Sequence, residues 1–375
     1  MKKSAARQPS RSPAPTATRP VGPGGLRRMC SIREGPPRSF PASLSGERAR
    51  LIIMHADKWV NGTVLKYSFF ESNGNFKRWA GTDALRSQVK KAFQRYTDIG
   101  VGVRFEPVAD RAAAQVRIGF EPGDGHWSYI GRQVLKQGVD DRTLNLDPTD
   151  NIGSGDYGID VATHEIGHTL GFPHEHQNPN AGISWNRDAV LTYFKGPPNN
   201  WDESQIEWNI LRKIPVSEIK GTTWDPDSVM EYQFDAGLII APEKYQAGLQ
   251  PKGGLSFADK AWVVESYPGV RTPTATPLKI GLSQLLKLKA GETRTFDFSP
   301  TRTRTYNIGT FGTSDTVLVL FEVTPDGNVQ IAGADDSGTD LNAKVTMRLQ
   351  KGRKYQVGVR LYYADAALET SLMVW

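Results

Sequence analysis

Residues 161–177 read VATHEIGHTLGFPHEHQ. They set His164, Glu165, His168, Gly171 and His174 in the order H-E-x-x-H-x-x-G-x-x-H. Residues four apart lie on one face of a helix, so His164 and His168 can aim two imidazole nitrogens at one point, with Glu165 beside them. Gly171 takes positive φ without steric cost, which ends the helix and turns the chain sharply. That turn brings His174 back to supply a third nitrogen. Three imidazoles and an open fourth position describe a catalytic zinc (Zn2+) site rather than a structural one. The alternative is a helix whose histidines are surface or satisfied core groups. Against it, the five fixed residues have a chance frequency on the order of 10⁻⁸ to 10⁻⁷ per start position.

The chemistry expected of this set is hydrolysis. A zinc held by three neutral imidazoles lowers the pKa of bound water to about 7 and polarises a scissile carbonyl. Glu165, next to a ligand, is placed to take the water's proton and pass it to the leaving amine. A second element follows at Ser228-Val229-Met230-Glu231-Tyr232, where Met230 lies 56 residues after His174. A thioether is a poor zinc partner, so Met230 reads as an apolar floor under the site. The Tyr232 phenol can reach the metal or donate to a developing oxyanion, with a core tyrosine as the alternative. Of the other histidines, His176 reads as a solvated rim residue, His55 as structural or surface, and His126 as structural or lining a cleft.

The chain has 375 residues, more than one core usually serves, so two domains are expected. The net charge of +6 is uneven: residues 1–50 hold 11 Lys/Arg against two Glu, and the remainder 35 against 38 acidic residues. Basicity is therefore a property of the tail, and no aromatics are interleaved with its arginines, which argues against a nucleic-acid partner. No apolar run approaches the ~18 residues of a membrane span. Cys30 is the only cysteine, so no intrachain disulfide forms. The first residues lack the apolar core of a secretory signal.

Residues 1–50, rich in Pro, Arg, Ser and Gly, read as disordered, with Cys30 an idle thiol. The functional alternative is a pro-segment whose Cys30 covers the zinc as a thiolate. Residues 51–270 form the catalytic domain. Strands are expected at Thr63–Phe70, Val101–Glu106, Val116–Phe120 and around Leu144–Leu146, and a helix from Thr82 or Asp83 to Gly100. Asn186–Lys195 reads as helical, and Ser256-Phe-Ala-Asp259 as a capping box opening a helix to about Tyr267. Residues 271–281 are a linker. Residues 282–375 show short strands between turn signals, at 293–298, 305–308, 316–321, 344–349, 354–360 and 370–375, the pattern of a β-sandwich.

With the zinc motif and the methionine turn in hand, the chain resembles the astacin-type metzincins, zinc endopeptidases, over roughly residues 55–268. His164 to Glu175, with Phe172 in place, resembles H-E-x-x-H-x-x-G-F-x-H-E. Ser228–Tyr232 resembles the family's S-x-M-H-Y turn, with Glu231 where histidine is usual. Trp127-Ser-Tyr-Ile-Gly-Arg132, Gln137 and Leu144-Asn-Leu146 resemble the upper rim of the cleft, with His126 at a usual cysteine position. Arg187-Asp188 resembles a pair that follows the third histidine.

The resemblance implies an α/β (α+β) two-lobed catalytic domain followed by an all-β sandwich. It also implies that His164, His168 and His174 ligate zinc, Glu165 is the catalytic base, and Tyr232 is a swinging fifth ligand. Glu175 would meet the N-terminus left by activation. A protein or peptide substrate would add to the edge strand near Trp127–Arg132. Secretion is expected. The last segment resembles the pre-peptidase C-terminal type of sandwich. The competing function is a surface- or matrix-binding protein, docking through that sandwich, with a latent protease-like domain.

Overall fold

The computed structural model describes residues 29–33, 58–59, 61–214, 223–269, 276–289, 292–312, 314–325, 327–335, 342–361 and 368–375. His55, most of residues 1–50 and residues 271–275 of the linker lie outside the described residues.

A six-stranded sheet frames the upper lobe. Its strands are β1 (Cys30–Arg33), β2 (Val64–Phe69), β3 (Arg104–Pro107), β4 (Val116–Gly119), β5 (His126–Tyr129) and β6 (Leu144–Asn145), in the order β1-β5-β6-β4-β2-β3. β2, β3, β4 and β6 pair parallel, and β5 runs antiparallel to β6. The reading of residues 1–50 as disordered therefore fails at 30–33, which pair with β5 in parallel register, Cys30 opposite His126 and Arg33 opposite Tyr129. Nothing local makes Cys-Ser-Ile-Arg a strand. It is one because β5 offers an unpaired edge.

Helix α1 (Asp83–Asp98) opens where Thr82 accepts a hydrogen bond from the Leu85 amide at 3.3 Å. Its buried Leu85, Val89, Phe93 and Tyr96 pack under the sheet in one core with Leu65, Val116, Ile118 and Leu144. Helix α2 (Gly155–Thr169) carries the zinc motif and lies against α1: the Tyr96 phenol donates to the Thr163 carbonyl at 3.0 Å, and the Gln88 amide to that of Gly155 at 2.9 Å.

The lower lobe has a separate core that includes Ile183, Val190, Phe194, Ile206, Ile210, Tyr232 and Phe234. It is built from β7 (Ser184–Trp185), α3 (Arg187–Lys195), α4 (Glu203–Ile206) and β8 (Ile239–Ala241), with β7 pairing antiparallel to β8. Helix α5 (Phe257–Ser266) starts at the capping box read from the sequence, Ser256 and Asp259 each accepting from the other's backbone amide.

Among the described residues, nine further strands make two facing sheets: β9 (Thr276–Pro277), β10 (Gln284–Leu288), β11 (Thr293–Phe298), β12 (Arg304–Phe311), β13 (Thr316–Thr324), β14 (Gly327–Ala334), β15 (Lys344–Leu349), β16 (Lys354–Leu361) and β17 (Leu368–Val374). Their orders are β10-β17-β12-β15 and β14-β13-β16-β11-β9, closed over a core that includes Leu286, Phe298, Tyr306, Leu320, Val357 and Leu372. One contact of the sandwich with the preceding lobes is made by Arg360, buried at 7% exposure, which donates to the carbonyls of Trp59 and Lys58, both at 3.0 Å. Among the described residues no helix is long and apolar enough to cross a membrane.

Candidate metal centre and cleft

Helix α2 ends as the motif requires. Gly171 has φ +94°, the Gly171 amide bonds the His168 carbonyl at 2.8 Å, and the Phe172 amide bonds that of Gly167 at 3.0 Å. This is the paired bonding of a Schellman cap, which closes the last carbonyls while the chain reverses. The same turn aims a ligand, because Nδ1 of His168 donates to the Phe172 carbonyl at 2.7 Å. Nδ1 of His164 donates to the Val229 carbonyl at 2.6 Å.

A carbonyl only accepts, so both protons sit on Nδ1 and both Nε2 lone pairs face inward. His168 Nε2 lies 3.1 Å from His164 Nε2 and 3.1 Å from His174 Nε2. Lone pairs this close repel unless a cation lies among them, and three neutral imidazoles suit zinc. Burial and the neighbouring rings keep them neutral. His164 is pushed down to about 4, chiefly by burial and against a raising bond from Val229. His168 and His174 are held well below the usual histidine range, first by burial and then by the adjacent imidazoles.

Glu165 is fully buried beside the triad, and neither carboxylate oxygen has a hydrogen-bond partner among the described residues. Burial pushes its pKa well above the usual carboxylate range. Among the described residues the Cys30 thiol is the one side chain acting on this carboxylate, lowering its pKa against burial, and no N–H or O–H donor ties it away from a water. The Tyr232 hydroxyl lies 2.9 Å from His174 Nε2 and is also hydrogen-bonded to the Cys30 carbonyl.

The floor is set by one close approach. A Cβ on Gly167 would fall 2.3 Å from the Met230 sulfur, so the thioether packs under the helix only because residue 167 is glycine. Sequence reasoning found Met230 but missed what holds its turn. The Asp259 carboxylate accepts from Ser228 Oγ at 2.6 Å, the Val229 amide at 2.7 Å and the Ser256 amide at 2.9 Å. It thereby positions the carbonyl that orients His164. The capping box at Ser256 was the visible signal, but a box shows only local bonds and not the turn 30 residues away. Glu231, where the family usually has histidine, accepts from the Trp224 indole and the Tyr232 amide, both at 2.8 Å.

Two readings need correction. His176 is no solvated rim residue: it is 2% exposed and donates from Nε2 to the Asn209 carbonyl at 2.8 Å, with Nδ1 3.4 Å from Glu231. The aromatic lower lobe closes over it. Cys30 is no idle thiol: it is 6% exposed, and its sulfur groups with the three histidine nitrogens, all within 4.8 Å of one another. Burial and the Glu165 charge push its pKa up. His126 is 2% exposed, bonds the Asp147 amide through Nδ1 at 3.1 Å and lies 3.2 Å from Asp150. Glu175 accepts from the Asp225 amide at 3.1 Å and Asn178 at 3.2 Å, and burial raises it to about 8.

Known proteins repeat this architecture. The profile of the astacin peptidase family matches residues 55–238. Zinc metalloproteinase nas-36 of Haemonchus contortus is 27% identical over 60% of this chain and 33% of its own length. Tolloid-like protein 1 of Mus musculus is 26% identical over 66% of this chain and 23% of its own. The chain thus spans about a third or less of these curated relatives. The solved structure of myroilysin aligns with 57% of this chain and 97% of its own, at 27% identity and a TM-score of 0.50.

Proposed function

We propose, for a chain that belongs to the astacin family of peptidases, that it is a zinc-dependent endopeptidase hydrolysing peptide bonds with Glu165 as general base. The observation that carries this is the meeting of three inward-facing Nε2 atoms at 3.1 Å contacts beside a buried carboxylate that no N–H or O–H donor ties down. His164, His168 and His174 would hold the zinc, which supplies a Lewis acid and an acidified water when bound. Glu165 takes that water's proton and returns it to the leaving amine. Tyr232, already within hydrogen-bond reach of the ligand set, donates to the developing oxyanion. An extended protein or peptide substrate adds to β5 by main-chain pairing, which aligns its scissile bond over the histidines.

Secretion belongs to the same reading, as does kinship of the sandwich with the pre-peptidase C-terminal type. Of the competing reading, a surface- or matrix-binding protein with a latent protease-like domain, the sandwich is present, but no catalytic residue is missing from the lobes. The test is peptide cleavage by purified protein after limited proteolysis of its N-terminal segment, with and without chelator. Cleavage should stop on chelation, return with zinc, and fall by about 10²-fold or more in Glu165→Gln. Hydrolysis unchanged in that variant overturns the proposal.

A further inference from the structure

The carboxyl end of α2, which carries His168 and aims His174, is closed in two ways. Backbone amides take the carbonyls of Ile166, Gly167 and His168. The next two carbonyls, of Thr169 and Leu170, are taken by side chains from elsewhere in the chain. The Trp59 indole donates to Thr169 at 2.7 Å, and the Tyr267 phenol donates to Leu170. Both donors are buried, at 2% and 0% exposure, and the Trp59 amide donates in turn to the Tyr267 hydroxyl at 3.2 Å. Trp59 is itself held from the sandwich: Arg360 of β16 donates to its carbonyl and to that of Lys58, both at 3.0 Å. Other contacts seat the sandwich on the upper lobe. Arg104 of β3 donates to the Asn328 carbonyl at 2.8 Å, and Arg132 lies 3.5 Å from Asp335.

We propose that the sandwich is a positioning element of the peptidase, acting through Arg360 and Trp59 on the end of the zinc helix; this rests on the zinc reading above. Thr169 follows the ligand His168 by one residue and precedes the ligand His174 by five. Where the last turn stops therefore decides how Gly171 returns His174 to the centre. A helix end whose last carbonyls lack partners frays, and a fixed indole N–H prevents that here. Arg360 supplies place more than stability. Among the described residues no carboxylate acts on it, and burial lowers its pKa to about 10. Desolvation of such a group offsets much of what its bonds return. What it fixes is the main chain at Trp59, and with it the direction of the indole. The same helix end touches the cleft edge, because Thr169 Oγ1 lies 3.1 Å from Ser128 Oγ in β5. Arg360 and Trp59 are positioning residues: they act on the ligands through the helix. An accessory domain that only captured substrate would need none of these bonds.

The test uses full-length protein and reads zinc release into a chromophoric chelator. Trp59→Phe keeps an aromatic ring but removes the indole N–H, and should release zinc on the order of tenfold faster, as loss of an outer partner does. Arg360→Met should release it several-fold faster. Arg360→Lys, which can still donate to both carbonyls, should stay within about twofold of wild type. The double variant should release zinc as Trp59→Phe does, because both changes break one relay. Loaded with cobalt, Trp59→Phe and Arg360→Met should show shifted visible bands, and both should lower kcat with KM unchanged. Arg104→Met, which loosens the sandwich at Asn328 rather than at Trp59, should lower the unfolding midpoint and leave zinc release alone. One measurement needs no variant: coupling is reciprocal, so zinc should slow hydrogen exchange of the wild-type Trp59 indole. Wild-type zinc release and cobalt bands in Arg360→Met, effects that add in the double variant, or indole exchange indifferent to zinc overturn the relay while the three-histidine site stands. A wild-type chain that binds no zinc overturns both.

Discussion

Asp259→Ala removes the support of the methionine turn without touching any ligand. The wild-type carboxylate accepts three bonds at 2.6–2.9 Å and is 9% exposed. Bonds to a charged group contribute about 1.5–3 kcal/mol each, so the gross loss is about 4–9 kcal/mol. Against this stands the burial of the carboxylate itself, which raises its pKa and is relieved in the variant. The Val229 amide, however, stays buried without an acceptor. We expect a net loss of about 3 kcal/mol in the metal-free protein, read by urea unfolding. The second effect is at the metal. The Val229 carbonyl orients His164, and loss of such outer partners typically costs about 10–100-fold in affinity. Zinc competition against a chromophoric chelator should show that weakening. Stability within about 1 kcal/mol of wild type together with unchanged zinc affinity would refute the idea that Asp259 positions the site.

Gly167→Ala should displace Met230, because the new methyl meets the sulfur at 2.3 Å; a loss of about 1–3 kcal/mol is expected for such overpacking, measured by thermal unfolding. Arg360→Ala should destabilise the chain by about 2 kcal/mol through its two backbone bonds, each worth up to ~3 kcal/mol before desolvation is deducted, and that deduction is real because burial lowers this guanidinium to about 10. An unchanged unfolding midpoint would mean that the Arg360 bonds contribute nothing to holding the sandwich against the rest of the chain. The metal-free protein should lose stability in acid. His164 has a folded pKa of about 4, below its ordinary 6.5, so the unfolded chain binds the proton first and stability falls as pH drops from about 6.5 towards 4. Across that window this residue alone accounts for about 3 kcal/mol, opposed by the raised carboxyls of Glu165 and Glu175, so His164→Gln is the reference, and a wild-type profile identical in slope to that variant's would contradict the burial argument.

What could be read from residues alone divides along a physical line. The zinc motif was legible because its spacing is helical geometry plus one glycine, both local. The cap at Thr82, the box at Ser256 and the exposed-to-buried alternation of Thr293–Phe298 were legible for the same reason. Features made by distant partners were not. β1 exists through β5 and two asparagines of the lower lobe, so a Pro- and Arg-rich tail hid it. β10 (QLLKL) was missed because Leu285 is 60% exposed and spoils the alternation that Leu286 and Leu288 keep. β14 carries Gly327, Gly333 and two alanines, weak strand formers, and among the described residues it pairs with β13 alone. The place of His176 is set by Asn209 and Glu231, neither near it in sequence.

The central claim is that three imidazoles and no other set of nitrogens hold the metal, and zinc-edge X-ray absorption on the purified full-length chain tests it most directly. The account predicts one zinc per chain with three nitrogen scatterers at about 2.0–2.1 Å. A zinc with two nitrogen neighbours, or a spectrum unchanged in His174→Ala, would contradict it.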